Sequence, residues 1–403
     1  MLWTQSPAQV VTDIYDFGLD SGQGNYPGAP LIAGPNGVLY GTTEFGGDLN
    51  CGEFEIGCGM VFQLTPSGGQ WDFSTLYEFT GQQDGLNGAT TLALDSAGNL
   101  YGPTNRSTTP YDAIFELTPG APGQPWNFSL IYSFQNQTDG AHAISPLFID
   151  ASGTIYGATI VGGLKGRGCY QSAGCGAIFQ LVPPAQQGGT WTEHTLYQFP
   201  GARYGGNPGI LFMDSKGTIY GTTNTGGSFK GCTSGCGVAF QLKLENGAWN
   251  YTVIHRFTLK TGAYPYGNLV GDTKGALYGL ASTTQNGFAG NIFRLTPPTK
   301  AKSWKFSSIY NYANAYPPTN LTIGANGVLY GDIFGDQDLD AGYAFQLAPS
   351  GRSGKKWKYK TLYDFNTYMF GTNPDGVFAY GGNVFVSMTG GGYTTGNIDL
   401  IVP

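Results

Sequence analysis

The sequence predicts an all-β chain of repeated four-stranded units, and three observations predict it. The first is a recurring phrase. Leu39-Tyr40-Gly41-Thr42-Thr43 returns as Leu100-Tyr101-Gly102-Pro103-Thr104, Ile155-Tyr156-Gly157-Ala158-Thr159 and Ile219-Tyr220-Gly221-Thr222-Thr223, with shorter echoes at Leu277-Tyr278-Gly279 and Leu329-Tyr330-Gly331. The tyrosines lie roughly 50 to 65 residues apart, the length of one supersecondary unit that must stack on neighbours to bury its apolar faces. The second is composition: 66 glycines in 403 residues, 14% aromatic residues and only 11% charged ones. Turn residues and β-formers dominate, and long helix-favouring runs are missing. The third is that the two chain ends complement each other.

Each unit contains four strands in order. The first is short and apolar and ends in Asp before a Gly turn: Leu92-Ala93-Leu94-Asp95, Leu147-Phe148-Ile149-Asp150, Leu211-Phe212-Met213-Asp214. Such an Asp, like Asp272 in the fifth unit, is a turn former. The second strand is the recurring phrase. A variable loop follows, usually opened by Gly-Gly. The third strand is 60–66, matched by 113–119, 177–183, 238–244, 291–297 and 343–349. Where it ends in Pro, that residue should stop it, because Pro cannot extend a ladder. The fourth is 71–79, matched by 126–134, 191–199, 249–257, 304–312 and 357–365, with Trp, Leu or Ile, Tyr and an aromatic at fixed offsets.

Six units follow, and 376–380, 383–388 and 397–403 supply three strands of a seventh. The segment 10–17, ending Ile14-Tyr15-Asp16-Phe17, supplies its fourth. A unit completed by both chain ends closes a ring and leaves no frayed sheet edge. The expected fold is therefore a seven-bladed β-propeller of four-stranded blades. It forms one domain over 1–403, with blade seven made from 10–17 plus 376–403.

The phrases resemble those of the bacterial tandem-repeat family called GloVer, or choice-of-anchor repeat proteins. Leu39 to Gly47, Val61 to Pro66, Leu76 to Phe79 and Asp84-Gly85 match its unit in order. The resemblance covers nearly the whole chain. It implies exported, bacterial, β-propeller-like proteins, often fixed to the cell surface. It carries no catalytic signature.

Charge and patterning exclude several classes. Net charge is −7 and no basic run tracks a phosphate backbone, so no nucleic-acid partner is expected. Lys356, Lys358 and Lys360 alternate on one outer strand and read as a solvated edge. No stretch of about 18 apolar residues exists, so no membrane span is expected. The start, 1–7, lacks the features of a signal peptide, so either the protein is cytosolic or a signal has been removed, and the cysteines favour removal. Six cysteines form three local pairs: Cys51 and Cys58, Cys169 and Cys175, Cys232 and Cys236. Each pair sits in the same loop of its unit, which favours nearest-neighbour disulfides. Unequal spacings and only three histidines speak against metal. Disulfides place the protein outside a reducing cytosol, secreted or on a cell surface.

In a propeller the loops from strand two to three and from strand four to the next strand one share a face. All the long loops here belong to that face, so function is expected there. Counting back five residues from the first Leu of each inner strand gives Tyr26, Asn87, His142, Gly206, Tyr264 and Tyr316, a ring at the channel mouth. Tyr26, Asn87, His142, Tyr264 and Tyr316 are the expected ligand contacts. Their flat faces and polar tips suit sugars or extended chains.

Charges without counterparts in other units are the second clue. They include Asp112, Arg167, Asp332, Arg106 and Arg203. His142, Arg203, Asp332 and Arg106 are candidates for catalysis on a polysaccharide. Two carboxylates would serve hydrolysis, and a base beside an Arg would serve elimination. Asp336, Asp338 and Asp340 alternate like part of a calcium loop, but Ala341 and Leu347 replace its Gly and Glu. They read as a solvated acidic loop, and no cofactor is expected. The leading expectation is a secreted propeller that binds a glycan or extracellular protein partner on this face. A glycoside hydrolase or polysaccharide lyase is the second reading, and self-assembly the third.

Overall fold

The computed structural model describes residues 11–17, 24–51, 56–85, 90–104, 112–135, 138–169, 173–186, 188–282, 289–299, 303–313, 318–333, 342–350, 356–365, 374–390 and 396–403. They form seven antiparallel sheets, each a blade of four strands counted from the axis outwards. Blade four's inner strand is split into Gly206–Pro208 and Phe212–Met213. Blade seven joins Pro374–Tyr380, Asn383–Met388 and Asn397–Ile401 to the N-terminal strand Val11–Asp16, which closes the ring.

Packing explains the recurring phrase. Its Gly lies over the core Phe of strand three: a Cβ on Gly41, Gly157 or Gly221 would come within 2.5 Å of the ring of Phe62, Phe179 or Phe240. Each such Phe is fully buried, which contributes roughly 2–3 kcal/mol. The phrase's Tyr meets the Trp of the next blade's outer strand edge-on, as in Tyr101 with Trp191, Tyr156 with Trp249 and Tyr278 with Trp357. Its hydroxyl donates to the inner-strand Asp, from Tyr101 to Asp95 and from Tyr278 to Asp272. The Asp carboxylates also accept turn N–H groups, as expected of turn formers. Further out, strand-four rings stack between blades: Tyr77 on Phe128, Tyr197 on Tyr251, Tyr310 on Tyr359.

Two expectations about strands need correction. Strand three runs past its Pro in blades one and six, over Met60–Ser67 and Tyr343–Ser350. Strand two has already ended there, since its last pairs are Leu39 with Leu64 and Leu329 with Leu347. Pro66 and Pro349 therefore sacrifice no ladder bond and can still face Trp71 and Trp357. Blade seven's inner strand starts at Pro374, two residues before the expected 376.

Blade seven also departs from the core pattern. Val386 and Asp399 occupy the paired positions that hold Gly41 and Phe62 in blade one. Asp399 is fully buried, accepts a bond from Asn397 Nδ2 at 3.0 Å and lies opposite Asp13 of the closing strand. Burial first, and the Asp13 charge second, push its carboxyl up to about 8.

Candidate functional site

The long loops share one face, as strand order requires. Three of them are closed by the disulfides Cys51–Cys58, Cys169–Cys175 and Cys232–Cys236. Two of these loops hold the next blade's ring segment. The Asn207 N–H donates to the Cys175 carbonyl, and the Tyr264 N–H donates to the Cys236 carbonyl.

Four residues at or beside the expected ring positions share a backbone signature. Tyr26, His142, Asn207 and Tyr264 have φ of 58°, 56°, 54° and 48°. Left-handed backbone costs a bulky residue about 1–3 kcal/mol, and such outliers cluster at functional sites. Pro27, Pro208 and Pro265 follow three of them. Each lies over a glycine that precedes a third strand: a Cβ on Gly396, Gly176 or Gly237 would come within 2.7 Å of the Pro Cδ. By this criterion blade four contributes Asn207, not the Gly206 that counting back gave. One residue fewer separates Pro208 from Leu211 than Pro265 from Leu269.

The ring residues are used differently. Asn207 is buried and ties blades together, donating to the Ile160 carbonyl and accepting from Thr225 Oγ1. Tyr26 is 42% exposed, with its ring edge-on to Phe45. Tyr264 lines a depression of about 310 Å³ with Asn224, Thr233 and Ser234. Asn87, Tyr316, Arg106, Asp336, Asp338 and Asp340 lie outside the described residues.

His142 reaches back to the preceding blade. Its Nδ1 lies 3.3 Å from Asp112 Oδ2, with the imidazole 56% exposed and the carboxylate side chain 9% exposed. Asp112 occupies the position held by glycine in every other unit: Gly59, Gly176, Gly237, Gly290, Gly342 and Gly396. The backbone proves the equivalence. Phe134 N–H donates to the Asp112 carbonyl as Phe79, Phe199, Phe257, Phe365 and Phe17 do to the carbonyls of Gly59, Gly176, Gly237, Gly342 and Gly396. Ala143 stands where Pro27, Pro208 and Pro265 stand, and its N–H, which Pro lacks, bonds to the Asp112 carboxylate. Burial raises the Asp112 carboxyl; His142 and that N–H oppose the rise. An aspartate on Nδ1 keeps the proton there and leaves Nε2 as the acceptor.

Charge on the loop face is sorted. The segments 162–176, 199–209, 224–237 and 257–266, from blades three to five, carry Lys165, Arg167, Arg203, Lys230 and Lys260 and no Asp or Glu. By contrast, 44–59 carries Glu44, Asp48, Glu53 and Glu55 with no Lys or Arg. Two of the cations lie on rings: the Arg167 guanidinium is 4.0 Å from the Phe229 centroid, and that of Arg203 is 4.8 Å from Tyr204. Arg203 also donates to the Tyr204 hydroxyl. Leu164, Tyr204 and Leu259 are exposed in the same segments.

The remaining candidate, Asp332, is fully buried and accepts the Asn320 N–H at 3.1 Å. Among the described residues no group of three or more His, Cys, Asp or Glu is placed to hold a metal, and no helix is long and apolar enough to cross a membrane.

The sequence matches the model of the Gloeobacter/Verrucomicrobia repeat over residues 2–172, 108–333 and 170–399. The chain belongs to this repeat family. No curated protein matches the sequence. Among solved structures, the repeat protein is similar to a PL25 polysaccharide lyase, an ulvan lyase bound to -[GlcA(1-4)Rha3S]-. The TM-score is 0.58 at 11% identity, covering 97% of this chain and 95% of that one. It is also similar to the extracellular domain of a one-component system from B. thetaiotaomicron, with a TM-score of 0.54 at 10% identity. That match covers 97% of this chain, which spans 39% of the length of the other. At these identities the likeness is one of fold.

Proposed function

We propose that this repeat protein binds an anionic glycan on the loop face of blades three to five, outside the reducing cytosol. The sorted charge carries this reading: the whole chain is acidic, yet these segments hold five cations and no carboxylate. A polymer bearing carboxylate or sulfate groups would be drawn to that half of the face and repelled by blade one. Arg167 and Arg203, pre-ordered on their rings, present planar donors suited to bidentate oxyanion contacts. Tyr264 and Tyr26 supply faces for sugar stacking. The three disulfides fit an exported protein.

The test is binding to sulfated, carboxylated and neutral polysaccharides by calorimetry. The anionic polymers should bind and weaken as salt rises. Arg167→Glu, Arg203→Glu and Lys230→Glu combined should weaken binding by about tenfold or more, equivalent to about 1.4 kcal/mol. Equal affinity for neutral polymers, or no loss in the triple variant, would remove the charge argument.

A further inference from the structure

The geometry points to a second capacity of this face: Asp112 and His142 form a proton-abstracting dyad that cleaves a bound 4-linked uronate polymer by β-elimination. The inference rests on the anionic-glycan reading above and adds the reaction.

Two departures from the repeat coincide at one junction. Asp112 replaces the glycine of the other units, and Ala143 replaces the proline. Either change alone leaves the site incomplete. A glycine has no carboxylate to offer the imidazole, and a proline has no N–H to orient that carboxylate. Together they bury one carboxylate oxygen against Nδ1 of an exposed imidazole. This is the arrangement of a general base: an oriented ring whose outer nitrogen is free to take a proton. His142 holds a left-handed φ of 56°, at a position where blade four uses Asn. The strain is borne where the side chain is displayed.

The neighbouring residues favour elimination over hydrolysis. Glycosidic hydrolysis by the usual route needs two carboxyl groups flanking the bond. The four segments from blades three to five carry none; Asp139, in the segment entering blade three, is buried and takes bonds from the Tyr132 hydroxyl and the Gln135 N–H, and Asp112 is committed to the imidazole. Elimination needs one base and a cation on the sugar carboxylate. Blade three's loop meets the His142 strand where Gly162 closes on Gly140, and it carries Arg167; Arg203 comes from the next segment. In the reaction His142 Nε2 takes the C5 proton of the uronate. The C5–H electron pair becomes the C4=C5 bond as the C4–O bond breaks. The imidazolium then passes its proton to the departing oxygen, directly or through one water. The products are one unsaturated uronate end and one new hydroxyl end, with no water, oxidant or reductant consumed.

Among the described residues, one charged group is paired with the imidazole. Asp112 is its partner, and Asp139, three residues upstream, accepts bonds from the Tyr132 hydroxyl and the Gln135 N–H.

The experiment incubates the purified protein with 4-linked polyuronates, with and without sulfate, and follows the ultraviolet absorbance of unsaturated ends while measuring binding in parallel. Wild type should form the product. His142→Asn keeps a residue that tolerates this backbone and should lose about 100-fold or more in rate. Asp112→Asn should lose rate and displace the acidic limb of the pH–rate profile, which a merely structural role would not move. Circular dichroism and thermal unfolding of both variants exclude misfolding as the cause. Binding without product in wild type overturns the inference and leaves the binding reading standing. Undiminished product from His142→Asn overturns it as well. Neither binding nor product removes both.

Discussion

At the junction of blades four and five, Pro265 presses on Gly237, and a Cβ there would lie 2.2 Å from the Thr223 carbonyl oxygen. At the junction of blades two and three the same two positions hold Ala143 and Asp112. The backbone is shared: Phe257 donates to Gly237, and Phe134 donates to Asp112. What differs is the pair of side chains that fills the junction. One junction holds a proline on a glycine; the other holds a carboxylate against an imidazole. The exchange leaves the backbone bond to the preceding blade's last strand in place.

The largest test of that contrast is to force the second chemistry into the first frame. Gly237→Asp meets backbone oxygen and a left-handed φ of 85°. It should destabilise by about 3 kcal/mol or more, read from urea denaturation. The reciprocal change, Asp112→Gly with Ala143→Pro, restores the ordinary junction. It should leave stability within about 1 kcal/mol of wild type while abolishing elimination. Collapse of that double variant would show that the dyad is structural.

The disulfides distinguish the junctions next. Cys232→Ser with Cys236→Ser should cost about 2 kcal/mol in the chain-entropy model. Because the Cys236 carbonyl holds the Tyr264 N–H, glycan binding should also weaken. Blades two and three join without a disulfide between the two halves of the dyad, so the His142 chemistry on bound polymer should survive. Thermal unfolding and single-turnover rates check both halves of this prediction.

The closing blade provides a slower dependence. The Asp399 carboxyl, pushed up to about 8, holds a proton in the folded state that the unfolded chain has already lost. The folded state therefore binds more protons between about pH 4 and 8. Stability falls by about 1 kcal/mol per pH unit across that window and levels off above it. The Asp13 carboxyl, also raised, acts in the same direction. Asp399→Asn should flatten this slope, so its advantage over wild type in urea midpoint should grow from pH 5 to pH 8. A constant difference would show that Asp399 is ionised throughout.

Part of the face is legible in the sequence: the cysteines pair within their loops, and counting from the inner strands singles out Tyr26 and Tyr264, which share a left-handed backbone. The sorted charge was equally available once each loop had been assigned to a face. Asp112 was visible as a non-repeated charge, but its meaning required aligning the residue before each third strand, where the other six units have glycine. Asn207 was missed in favour of Gly206 because a one-residue deletion is silent until φ and the position of Pro208 are known. Asp332 breaks the recurring phrase, yet it is buried and bonded to the Asn320 N–H. A break in a repeat marks a change of environment, and that change can serve the core as readily as a site.

The sequence by itself determined the number of blades, the order of strands, the closure of the ring by both chain ends and the face that carries the loops. These rest on contacts within a blade, which are close in sequence and recur with the repeat. The tertiary structure alone decided which side chains meet between blades. Asp112 and His142 come from different units, and their meeting depends on a backbone angle, an absent proline and the few ångströms between two sheets. Periodicity carries no record of such contacts, because they exist where it fails.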